Sequence, residues 1–206
     1  MTSSPLIWGI VLAAGQSRRM GRPKALLRCA PTSDTFITRI VGTFREATVS
    51  NVVVVGRPDD EALRSHVAEL RPQVEYVENP APMRGQLSSL ITGLERAEAC
   101  GAAAVLVMPV DTPLVRAGSI ARVLAAAAES SALIVRATHQ GRHGHPVLFR
   151  APIFTALRTA DPTVGAKAVL HTHAEHVLNV EVDDPGVLRD FDAPEDYERT
   201  FRLLPE

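Results

Sequence analysis

The sequence predicts an α/β fold: a single domain over residues 1–206, with a doubly wound, mostly parallel sheet and helices on both faces. Short apolar runs of strand length recur along the chain. They are unbroken rather than alternating, which suits strands covered on both faces. Between them lie longer stretches with apolar residues at helical spacing, and strand–helix alternation implies parallel strands joined by right-handed crossovers. The length of 206 residues, 46% hydrophobic and 22% charged, supplies apolar material for one full core.

The elements follow in order. "LIWGIVLA" (6–13) is the first strand, "NVVVVG" (51–56) the second and "AAVLVMPV" (103–110) another, each an unbroken apolar run. "VEYVEN" (74–79) and "ALIVRAT" (132–138) are further strands. Helical spacing marks 34–47, 59–70, 85–100 and 116–130. Acids in "DDEALR" and polar groups in "GQLSS" suit helix N-termini. The last third is less regular. "GRHGHPVLFR" (141–150) is expected to be a loop and then a short strand, and 164–175 a helix. Residues 176–182 form a strand, 183–192 a turn-rich segment and 193–204 a closing helix with Pro194 in its first turn.

Bulk properties narrow the partners. The net charge is −1, so no global field draws the chain to nucleic acid or an anionic membrane. No apolar run approaches the roughly 20 residues of a membrane span, and the N-terminus lacks the basic region of a signal peptide. Cys29 and Cys100 form no metal or redox spacing, which fits a cytoplasmic location.

Against that neutral background, "LAAGQSRRMGRPK" (12–24) crowds three arginines and a lysine onto a glycine-bearing turn after the first strand. In an open parallel sheet, ligands bind beyond the carboxyl ends of the strands. Backbone amides next to glycine approach an anion closely, and Arg18, Arg22 and Lys24 can neutralise phosphate oxygens. The loop fits neither the Walker spacing nor the G-x-G-x-x-G fingerprint: Pro23 precedes the lysine and no Ser or Thr follows it. A surface turn with solvated arginines stands as the alternative.

The loop resembles the "LAAGxSxRMGxxK" signature of the nucleotidyltransferases with a Rossmann-like, glycosyltransferase-A-like NTP transferase fold. This chain carries it as Leu12, Ala13, Ala14, Gly15, Ser17, Arg19, Met20, Gly21 and Lys24. "ENPAPMRGQLSSLITGL", "MPVDTPLV", "GRHGHPVLF" and "DDPGVLRDFDAPEDY" extend the similarity along nearly the whole chain, the last two pointing to the molybdenum cofactor cytidylyltransferases. The region after Lys24 lacks the usual "G-x-P-L" turn, and "MPVDTP" replaces the more frequent "GDMP".

The resemblance implies a Mg²⁺-dependent enzyme moving CMP from CTP to a molybdopterin-type cofactor, with pyrophosphate released and the product handed to a molybdoenzyme. Lys24, Arg19 and Asp111 are the expected catalytic groups. Leu12, Ala13, Ala14, Gly15, Ser17, Gly21, Gly85 and Ser88 join them in holding the nucleotide, and Gln86, Ser89 and His145 meet the acceptor. Mg²⁺ falls to Asp111, at the end of an apolar strand, with Asp190 or Asp192. These two are expected to point opposite ways, Asp190 facing the metal by the family pattern and Asp192 capping the final helix. Helix capping equally explains Ser88 and Ser89, and a structural role equally explains His145. His171, His173 and His176 read as a solvated face rather than a metal site. Ala14, where guanine-selective relatives carry a second glycine, favours CTP. Other functions to weigh are transfer to a sugar phosphate or small organic phosphate, a cofactor chaperone that binds nucleotide without releasing pyrophosphate, and an oxidoreductase on the same fold.

Overall fold

A computed structural model describes residues 5–70 and 72–201. Seven strands form one sheet in the order β3-β2-β1-β4-β6-β5-β7. In chain order the elements are β1 (Ile7–Leu12), α1 (Phe36–Glu46), β2 (Val52–Gly56), α2 (Glu61–Glu69), β3 (Val74–Glu78), α3 (Gln86–Ala99), β4 (Ala104–Pro109), α4 (Ala117–Ala128), β5 (Ile134–His139), β6 (Arg142–Arg150), α5 (Phe154–Thr159), α6 (Ala166–Thr172), β7 (Val177–Glu181) and α7 (Pro194–Thr200). All pairings are parallel except those of β6, which runs antiparallel to β4 and β5.

The unbroken apolar runs are explained by burial on both sides. Val11, Val52, Val54, Leu106 and Met108 face one core with α1, α2 and α4. Ile10, Leu12, Val53, Val55, Val105 and Val107 face a second core with α3, α5 and α6. Successive strand residues alternate between the cores, as the pleat requires. Asp60 accepts from the Leu63 amide (3.0 Å) and caps α2, in keeping with the acids that open that helix. Thr35 caps α1 in the same way.

The topology fixes where a ligand can sit. From β1 the chain moves outward to β2 and β3, then crosses back to β4 on β1's other side, so the order reverses between β1 and β4. That crevice, beyond the carboxyl ends of the strands, is the binding position of such sheets. Leu12 pairs with Pro109, so the basic loop and Asp111 leave the sheet side by side.

Two expectations change. Residues 142–150 form one nine-residue strand, with no loop in the first half. The turn is taken one step earlier by Gln140 and Gly141, both at positive φ, and Thr138 pairs with His143. Gly144 lets this polar stretch lie against the 185–188 turn, because a Cβ there would come within 2.1 Å of the Val187 carbonyl. Helix α5, in a stretch with no expected element, packs Phe154 and Leu157 into the second core. The closing helix is described only through Thr200; the part expected over 202–204 lies outside the described residues.

Candidate active site

Three segments meet at the crevice. The basic loop ends in a short 3-10 turn, Lys24–Leu26, whose Lys24 points back across the mouth of β4. Its Nζ lies 3.1 Å from Asp111 Oδ2 and 2.7 Å from Asp192 Oδ1. Arg19 Nη2 donates to the other oxygen of Asp192 at 2.9 Å. The Lys24 amide donates to Ser17 Oγ (3.3 Å), closing the loop on itself. Residues 87 and 168 positions away from Lys24 thus converge on one ammonium.

A third apolar cluster braces this arrangement. Met20, Leu27 and Cys29 from the loop region pack with Phe36 of α1 and with Phe191, Tyr197 and Phe201 near the C-terminus. Phe191 is fully buried, and its amide donates to the Asp111 carbonyl (3.0 Å), which aligns the two acidic segments. Tyr197 hydroxyl donates to the Arg28 carbonyl (2.9 Å). The carboxylates are therefore set by a packed aromatic base, not by loop chemistry alone.

The charges respond to this crowding. Burial would lower the Lys24 pKa, but the Asp192 and Asp111 carboxylates outweigh it and hold the ammonium above its usual value. Burial dominates at Asp111 and raises its pKa despite the lysine. At Asp192 the Lys24 hydrogen bond dominates and lowers it.

A cavity of about 310 Å³ opens over these groups. Its walls include Leu12, Ala14, Gly15, Ser17, Arg18, Arg19, Lys24, Gly85, Gln86, Ser89, Asp111 and Asp192. Arg18, rated on the sequence only as a general phosphate neutraliser, belongs to this wall. A Cβ on Gly15 would meet no protein atom within 4 Å, so the space beside it is open. Gly85, at φ 85°, turns the chain into α3.

Several expected residues sit elsewhere. Ala13 is buried in the first core and Gly21 lines the far side of the loop. Ser88 faces away from this cavity; its single hydroxyl proton is shared between the Gly85 and Ala81 carbonyls, at 2.8 and 3.1 Å. The buried Asn79 holds both serines, donating to Ser88 Oγ (2.8 Å) and Ser89 Oγ (3.0 Å) while accepting from the Ala81 amide. Sequence reasoning missed that Asn79 role, although "NPAPMRGQLSS" contains it. Asp190 is exposed and makes no hydrogen bond or ion pair among the described residues. Asp192 shares Lys24 with Asp111, while Asp190 acts on Asp111 only through its charge. The Asp192 carboxylate, engaged by Lys24 and Arg19, does not cap α7, whose N-cap is Ala193. The two acids are not split by pleating: residues two apart on an extended chain share a side, and here the intervening Phe191 takes the inward one.

His145 lies in a second cavity of about 450 Å³ that shares Leu12 and Gln86 of its wall with the first. Burial lowers its pKa to about 4, so the ring is neutral, and its buried Nδ1 has no hydrogen-bond partner. Such an orphaned polar atom calls for a ligand or water. Among the described residues no group of three or more His, Cys, Asp or Glu side chains is arranged to hold a metal, His171, His173 and His176 included. Asp111 and Asp192 offer hard oxygen donors that suit a divalent cation completed by phosphate oxygens and water.

The family model of the MobA-like NTP transferase domain matches residues 9–177. The chain belongs to that family. Purine catabolism protein PucB of Bacillus subtilis (strain 168) is 28% identical over 210 residues, covering 98% of each chain. The molybdenum cofactor guanylyltransferase of Cereibacter sphaeroides is 30% identical over 203 residues, covering 96% of this chain and 97% of its own. Among solved structures, Rv0371c of Mycobacterium tuberculosis H37Rv has a TM-score of 0.79 at 26% identity, covering 96% of this chain and 99% of that one. A structure of Rv0371c in complex with manganese gives 0.73 at 26% identity over 97% and 100% of the two chains. This MobA-like chain is thus a nucleotidyltransferase, and no helix among its described residues is long and apolar enough to cross a membrane.

Proposed function

We propose that this MobA-like transferase moves a nucleoside monophosphate from a triphosphate onto a phosphate of a molybdopterin-type cofactor, for delivery to a molybdoenzyme. The carrying observation is Lys24 held between Asp111 and Asp192 under the cavity of the signature loop. An acceptor phosphate oxygen attacks the α-phosphorus, the bond to the bridging oxygen of the β-phosphate breaks, and pyrophosphate leaves. Positive charge fixed against that centre lowers the barrier. Lys24 serves the α-phosphate, Arg19 the β- and γ-oxygens, and the Gly15 amide and Ser17 hydroxyl donate to the phosphates. Asp111 and Asp192 would hold a Mg²⁺ ion, which when bound would supply further positive charge against the triphosphate; the manganese complex of Rv0371c supports a divalent ion here. Leu12, Ala14, Gly85 and Ser89 border the nucleotide, while Gln86, at the junction of the two cavities, and His145 meet the acceptor.

Two donors are in play. Ala14 and the G-H-P-V segment favour CTP. The guanylyltransferase name of the Cereibacter relative favours GTP. Calorimetric titration of CTP, GTP, ATP and UTP with Mg²⁺ separates them. The CTP reading expects CTP to bind tightest and to weaken in Lys24→Ala. Selective GTP binding keeps the transferase and replaces its donor; no triphosphate binding at all overturns the reading.

A further inference from the structure

The acceptor cavity carries a cationic end that the proposed chemistry does not use. Arg136 of β5 and Lys167 of α6 bring the charge, the His143 ring of β6 stands beside them as a hydrogen-bonding group, and the same three residues line a surface cavity of about 710 Å³. No Asp or Glu lines either cavity. Arg142 extends the positive rim.

Arg136 differs from the other arginines in what it donates to. Arg57, Arg64, Arg96 and Arg158 are matched to acids, and Arg39, Arg122 and Arg150 donate to backbone carbonyls. The half-buried Arg136 has no carboxylate partner among the described residues. Its Nε and Nη2 donate only to the neutral amide oxygen of Asn179, at 3.1 and 2.9 Å. Burial lowers its pKa, and burial with the Arg136 charge lowers that of His143. An uncompensated charge out of water is costly, and an anion relieves that cost. The chain as a whole is nearly neutral, so a general basic excess does not explain the patch.

We propose that Arg136, His143 and Lys167 form an oxyanion subsite at the far end of the acceptor cavity. The acceptor then carries a second anionic group, opposite the oxygen that receives the nucleotidyl group. This deepens the reading above and rests on it for the identity of the cavity. Concavity and the wall shared with the nucleotide crevice at Gln86 and Leu12 favour part of a small molecule over an acidic protein surface.

The test titrates the full chain with inorganic phosphate and with molybdate, read by NMR at the Arg136 Nε–H and the His143 ring. Saturable shifts at both groups are expected. Arg136→Gln should weaken either oxyanion about tenfold, as loss of a charge-assisted contact does, while triphosphate affinity by calorimetry stays within about twofold. Lys167→Ala, an exposed substitution on α6, repeats the measurement if Arg136→Gln does not fold. Shifts confined to Gly15–Lys24, or equal oxyanion affinity in variant and wild type, overturn the subsite. If the transferase reading itself fails, wild type releases no pyrophosphate with any acceptor, whatever the oxyanion titration shows.

Discussion

Lys24 and His145 carry opposite electrostatic settings within neighbouring cavities. Lys24 is nearly enclosed, with 11% of its side chain exposed, yet remains charged because two carboxylates face it. At His145 burial outweighs the more distant Asp190 charge, and the ring is held neutral. The sign of the consequence follows from proton counting. Unfolded chains protonate histidine near 6.5 and the folded ring only near 4, so between those values the unfolded state binds more protons. Stability therefore falls as pH drops through that window, by about 2 kcal/mol at pH 5 from this ring alone. Urea unfolding at pH 7 and pH 5 should show a smaller acid loss in His145→Gln than in wild type; equal losses would contradict the burial assigned to it. At Gly15, the open space predicts that Gly15→Val leaves the melting temperature within about 2 °C, as substitutions away from packed contacts do. Triphosphate binding should fall sharply in the same variant. Unchanged binding would place the phosphates elsewhere.

At the scale of elements, the segment around Phe191 does two tasks: its ring fills the aromatic cluster and its neighbour Asp192 meets Lys24. Phe191→Ala should cost about 3–5 kcal/mol, as large-to-small changes in a packed core do. It should also weaken metal-dependent triphosphate binding through the loosened carboxylate. Chemical denaturation and calorimetry on one preparation check both, and lost stability with intact binding would uncouple the two tasks. The same scale shows what the sequence conceals. β1, β2 and β4 are legible because double-sided burial writes itself as unbroken valine, isoleucine and leucine. β6 is not, because its first half is polar and faces a cavity, and its strand form depends on pairing with β5. Ser88 and Ser89 look alike in sequence; only the orientation set by Asn79 separates a scaffold hydroxyl from a cavity hydroxyl. Asp190 and Asp192 also look alike in sequence; what separates them is that the folded chain brings Lys24 and Arg19 against Asp192.

For the whole molecule, the signature loop and the Asp111 strand end were legible because spacing and strand order place both at the β1–β4 crevice. The unpaired Arg136 was not, because its lack of a partner exists only once the sheet is assembled. A site of two carboxylates, already faced by Lys24 and Arg19, predicts weak cation binding to the free protein. Mn²⁺ affinity measured by electron paramagnetic resonance should tighten about tenfold or more with triphosphate, whose oxygens complete the coordination. Equal affinity with and without triphosphate would place the ion elsewhere. The central claim is that the Lys24–Asp111–Asp192 group performs nucleotidyl transfer. Its most direct test is pyrophosphate release from CTP or GTP with Mg²⁺ and a molybdopterin-type acceptor, in wild type and Lys24→Ala. Acceptor-dependent release that drops about a hundredfold or more in the variant is predicted, the scale of losing one preorganised charge. Release at the wild-type rate from Lys24→Ala would contradict it.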